Sequence, residues 1–117
     1  MKTLPRLLVL ASLILPLGAF AAGAIAVDDD EGDTEPGYGV IVGAKSREEA
    51  GKQALAECGK QGNKGCRVAV RFDQCGAYAS SKKHSGIGFG KSVDVARTAA
   101  MNECGTKACK IVVAECE

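Results

Sequence analysis

Much of the chain is written twice. Gly23-Ala24-Ile25-Ala26 and Gly39-Val40-Ile41-Val42-Gly43 are followed by Ser46, Ala50, Ala54, Leu55 and Cys58, then by Cys66 and Cys75. Gly76-Ala77-Tyr78-Ala79 and Gly86-Ile87-Gly88-Phe89-Gly90 are followed by Ser92, Ala96, Ala100, Met101 and Cys104, then by Cys109 and Cys116. From Ser46 to Cys58 every residue stands 46 positions before its counterpart. All six cysteines fall at equivalent points of the two copies. A duplicated, cysteine-marked unit assigns most residues to architecture and leaves few over for chemistry.

Residues 1–21 read as a secretory signal. Lys2 and Arg6 precede an apolar run from Leu7 to Phe20, and Ala19-Phe20-Ala21 has the small-x-small form of a cleavage site. The run is too short for a membrane anchor, which needs roughly 20 apolar residues. Cleavage after Ala21 leaves a single domain, residues 22–117, with repeat one at about 23–75 and repeat two at about 76–116. At 96 residues (117 minus 21) its hydrophobic core alone is marginal. Six cysteines in an exported chain of this size read as three disulfides. Without Lys2 and Arg6, 13 basic residues face 14 acidic ones. A near-zero net charge gives no reason to expect nucleic acid or an anionic membrane as partner.

Each copy predicts two short strands, a helix and a third strand. The helices lie at about 47–58 and 93–104. Ser46 with Glu49 forms a capping box and Ser92 caps the second helix. Ala50, Ala54 and Cys58 share one helical face, as do Ala96, Ala100 and Cys104. Gly59 and Gly105 stand where a left-handed residue would end each helix. Glycine at 86, 88 and 90 implies a bulge or the close approach of another backbone. The apolar run Ile111-Val112-Val113 predicts a central strand. The fold class expected is α+β: two tandem ββαβ-like repeats sharing one sheet, with two helices packed on it.

Strand length prunes the disulfide pairing. Nine residues of extended chain span roughly 30 Å, whereas bridged Cα atoms lie at most about 7 Å apart. Cys66 therefore does not pair with Cys75, nor Cys109 with Cys116. Short turns separate Cys58 from Cys66 and Cys104 from Cys109, so those pairs are expected. Cys75–Cys116 remains, and is expected to join equivalent strand ends of the two copies.

This order of Gly-Ala-Ile-Ala, glycine-bounded strand, alanine-rich helix ending in Cys, then Cys-strand-Cys-Gly-Ala, and its repetition, resembles a family of small exported bacterial proteins, domain of unknown function 4189. The resemblance covers about Gly23 to Cys116. It implies a secreted or periplasmic α+β module of two similar halves. It implies no reaction, because the family supplies no catalytic residues to carry over.

Few residues invite chemistry. Gly86-Ile-Gly-Phe-Gly-Lys91-Ser92 resembles a phosphate loop, but Ser85 stands where the first glycine belongs. Each helix N-terminus, with Lys45 or Lys91 beside it, remains a candidate anion site. Asp28, Asp29, Asp30, Glu31, Asp33 and Glu35 form one acidic loop. It fails the EF-hand pattern, and the readings of it are a solvated loop, a docking patch or a Ca²⁺ site outside that pattern. The equivalent loop of repeat two is basic, with Lys82, Lys83 and His84. This reversal of charge is the largest departure from the repeat, and these nine residues are the candidate partner-binding set. His84, the only histidine, has no nucleophile assigned to it, and Asp73 and Asp94 have nothing to bring them together. No catalytic residue, metal ligand or cofactor is assigned. The function expected is a non-enzymatic binding or inhibitory module, of immunity type, acting on a protein partner. The alternatives are a small secreted hydrolase or effector toxin, and an envelope structural protein.

Overall fold

Alanine at alternate positions gives a strand one nearly flat face, on which a helix settles closely. In the computed structural model, which describes residues 21–29 and 35–117, both halves are built this way. The order is β1 (Ala22–Asp28), β2 (Gly37–Ala44), α1 (Arg47–Lys60), β3 (Arg67–Phe72), β4 (Cys75–Ser80), β5 (Ser85–Gly90), α2 (Val93–Cys104) and β6 (Lys110–Cys116). The signal expected at residues 1–21 lies, except for Ala21, outside the described residues, as do Asp30, Glu31 and Asp33.

The strands form two antiparallel sheets of three, ordered β2-β1-β3 and β5-β4-β6. The single shared sheet is thus overturned: each half has its own. The reason lies in the second face of each central strand. Ala22, Ala24 and Ala26 of β1 bury against Ala50, Ala54 and Cys58 of α1. Ala77 and Ala79 of β4 meet Ala96, Ala100 and Cys104 of α2. The opposite faces carry the larger side chains, and Ile25, Val27, Val70 and Phe72 pack on Tyr78 and Val113. Sheets apolar on both sides stack face to face, with a helix on each outer face.

The apolar run in β6 does not make it central. β4 is central, and β6 is an edge strand. The pairing shifts register between Tyr78 and Ala79, so that Ile111 opposes Ala79 while Val113 opposes Tyr78. This bulge turns consecutive residues to different layers. Ile111 reaches the helix layer and Val112 and Val113 the layer between the sheets. β3 carries a matching shift, with Val70 opposite Ile25 and Val68 opposite Ala26.

Both helices start as their caps dictate: Ser46 Oγ accepts from the Glu49 amide and Ser92 Oγ from the Val95 amide, each at 3.1 Å. Gly105 ends α2 in the left-handed conformation, φ 82°. Gly59 does not end α1, which runs on to Lys60, and the positive φ falls at Gly62 in the next turn. The glycines of β5 answer the choice between bulge and close approach. The β4–β5 ladder has no register shift, and a Cβ at Gly88 would collide with the backbone of α2 at Ala96 and Ala100.

The cysteines pair as Cys58–Cys66, Cys104–Cys109 and Cys75–Cys116. The last pair does not bridge the halves. Cys75 opens β4 and sits opposite Cys116 in the β4–β6 ladder. Each bridge is internal to one helix-and-sheet half, and the halves meet through the inter-sheet core. Three disulfides fit an oxidising compartment, and among the described residues no helix is long and apolar enough to cross a membrane.

Candidate functional site

The acidic run begins inside the fold. Asp28 is the last residue of β1, only 1% exposed, and its carboxylate accepts from the Gly65 amide at 3.0 Å. Asp29 follows on the rim. Its Oδ2 accepts from the Arg67 guanidinium at 2.6 Å and from the Tyr78 hydroxyl at 3.1 Å. The Arg67 hydrogen bond holds Asp29 below the usual carboxylate range, against partial burial and with help from Tyr78. Burial pushes the Tyr78 hydroxyl above its usual range; the nearby Ser85 side chain opposes this, and the Asp29 charge adds to it.

These contacts bring the two charged loops to one end of the molecule. Tyr78 belongs to the second half, yet its hydroxyl meets Asp29, which leads into the acidic run. Tyr78 stands two residues before Ser80, the end of β4, which pairs with Ser85 across the Lys82-Lys83-His84 turn. Those three residues form the exposed tip of the β4–β5 turn. The turn is closed by the Ser81 amide on the His84 carbonyl, 2.8 Å, and the His84 amide on Ser81 Oγ, 3.1 Å. Glu35, exposed, returns the acidic run to β2. Asp28 and Asp29 thus serve as internal acceptors, and Glu35, Lys82, Lys83 and His84 carry the exposed charge among the described residues.

The other candidates stay apart. Asp73 pairs with Arg47 at 3.3 Å in the connection between the halves, and Asp94 lies 4.0 Å from Arg97 on α2. They line different clefts. At each helix N-terminus the cap serine already takes one amide, and Lys45 and Lys91 are exposed beside them. Among the described residues no three His, Cys, Asp or Glu converge as a metal site would require.

Two features were missed from sequence. One is the Asp29–Tyr78–Arg67 contact; its available signal is that Tyr78 stands where the first copy has Ile25. The other is a cleft of about 450 Å³ between the edge of β2 and the end of α1, lined by Pro36, Gly37, Tyr38, Val40, Glu57, Gln61 and Asn63 among others. No motif marks it, because its walls come from a strand, a helix and a turn.

The fold and these surfaces define a small, disulfide-stapled module of two stacked helix-and-sheet layers, bearing charged loops at one end. Residues 22–116 match the family described as domain of unknown function (DUF4189), and the chain belongs to that family. No curated protein and no solved structure matches it significantly.

Proposed function

We propose that the protein is a non-enzymatic binding module of inhibitory or immunity type, acting in the periplasm or outside the cell on a protein partner. It docks through the end where the acidic and basic loops emerge together. One observation supports this reading: the Tyr78 hydroxyl, carried near the end of β4 where the basic turn begins, donates to Asp29 of the other half, placing the starts of two oppositely charged loops side by side. Charges of both signs on adjacent loops favour one orientation of a partner and speed encounter more than they add raw affinity. The framework beneath them is cross-linked three times, so little ordering remains to be done on binding.

The test begins with the oxidised mature protein as bait in the producer's envelope and secreted fractions. The captured protein is then titrated against charge-reversed variants, Lys82→Glu with Lys83→Glu and, separately, Glu35→Lys. Affinity should fall and become less salt-dependent in at least one variant. Unchanged affinity in both rejects this docking end.

A further inference from the structure

The two halves treat equivalent sheet edges differently. β2 and β5 are the corresponding edge strands. Ile87 of β5 lies opposite Tyr78, and Val40 of β2 lies opposite Ile25, the residue equivalent to Tyr78. The Ile87 amide points away from its sheet, because it donates to the Glu103 carboxylate of α2. That edge is capped at this position. Glu57 is the residue 46 positions before Glu103. It does not cap β2; its carboxylate instead lies 3.8 Å from Lys60 Nζ, in a loose pair whose lysine side chain is 73% exposed. Among the described residues no side chain takes the Val40 amide. In its place is the cleft of about 450 Å³.

An exposed strand edge offers a row of amides and carbonyls to any added strand. Outward amides recur at every second residue of a regular strand, so Tyr38 presents its amide beside that of Val40; the register shift beyond Ile41 ends the row. α1 forms the far wall of the groove, with Glu57 and Gln61, and Asn63 closes one end. Tyr38, 39% exposed, offers a ring beside the strand. The charged side chain lining the groove is acidic, Glu57, and Glu35 precedes the lining residue Pro36 in the chain. The Lys60 ammonium already beside Glu57 stands where a ligand cation could take over.

We propose that the groove between β2 and α1 receives an extended, basic segment of a partner protein as an added strand. Its backbone would pair with the outward groups of Tyr38 and Val40, and a Lys or Arg side chain would replace Lys60 at Glu57. This deepens the binding-module reading and rests on it, but the surface is distinct from the tips of the charged loops.

The probe is a short labelled peptide alternating threonine with lysine, compared with one alternating threonine with glutamate. Both are titrated into the oxidised protein by fluorescence anisotropy, and amide shifts are followed by NMR. The lysine peptide should bind the more tightly and shift the amides of Tyr38 and Val40. Val40→Pro removes the outward donor at an edge position where proline is tolerated, and should weaken binding roughly tenfold, about 1.4 kcal/mol. Glu57→Lys should weaken it by at least as much. Glu103→Gln should leave it unchanged. Should Val40→Pro fail to fold, Tyr38→Ala and Glu57→Lys carry the test. No binding, equal binding of both peptides, or shifts confined to β5 would each overturn the proposal. So would sedimentation showing that β2 pairs with a second copy. A full-length partner that still responds to reversal at Lys82 and Lys83 would keep the docking end while this groove is rejected.

Discussion

At the scale of the residue, the smallest side chains carry the sharpest constraints. A Cβ at Gly88 collides with the α2 backbone, whereas one at Gly59, inside α1, meets nothing within 4 Å. Gly88→Ala should therefore destabilise the protein by about 1–3 kcal/mol through overpacking. Gly59→Ala should stabilise it by about 0.5–1 kcal/mol, because alanine loses less backbone freedom in a helix. Urea titration of the two variants checks both signs. Tyr78→Phe should cost about 1 kcal/mol, the worth of a hydrogen bond to a half-exposed carboxylate. That cost should vary with pH. The Asp29 value is lowered on folding, so its contribution is present above the unfolded value of about 3.9 and is lost as pH falls through the folded one. The Tyr78 value is raised, so its contribution is present below about 10 and is lost as pH rises through the folded value. The difference between parent and variant should be flat near neutrality and shrink at both extremes. A difference that does not change with pH would rule out the Tyr78–Asp29 bond as its source.

At the scale of the element, each half is a sheet, a helix and a staple. Chain-entropy reasoning ranks the staples by the loop they close. Cys75–Cys116 spans 41 positions and Cys104–Cys109 only 5. Replacing the first pair by serine or alanine should cost about 4 kcal/mol and the second about 2 kcal/mol. Chemical denaturation of the two double variants decides the order, and a larger loss from the Cys104–Cys109 pair would point to native-state strain or local packing. The capped starts of the helices and the left-handed end of α2 were legible from Ser46, Ser92 and Gly105. The end of α1 was not, because Gly59 is compatible with helix and only the following turn shows which glycine, Gly62, adopts positive φ.

At the scale of the whole molecule, the halves are held by one shared core. Phe72, 1% exposed, ends β3 and packs between the sheets with Tyr78 and Ile25. Phe72→Ala should cost about 3–5 kcal/mol and lower the hydrogen-exchange protection of both halves together. Protection lost from the first half alone would show that the halves unfold independently. The stacking also explains why the docking end escaped the sequence. The acidic and basic loops are about fifty residues apart in the chain, and only the face-to-face sheets carry Tyr78 to Asp29.

The sequence by itself determined the elements, the disulfide pairs and the two charged loops. Each rests on local physics: helical periodicity, caps, the reach of an extended strand and the sign of nearby side chains. Tertiary structure decided that the sheets stack rather than merge, that Cys75–Cys116 lies within one sheet, and that β6 is an edge. It also decided which acidic residues are internal acceptors and that a helix carboxylate caps the β5 edge at Ile87. These depend on what faces the second side of each strand, and alternating Ala with Ile, Val or Tyr names two apolar faces without naming their partners.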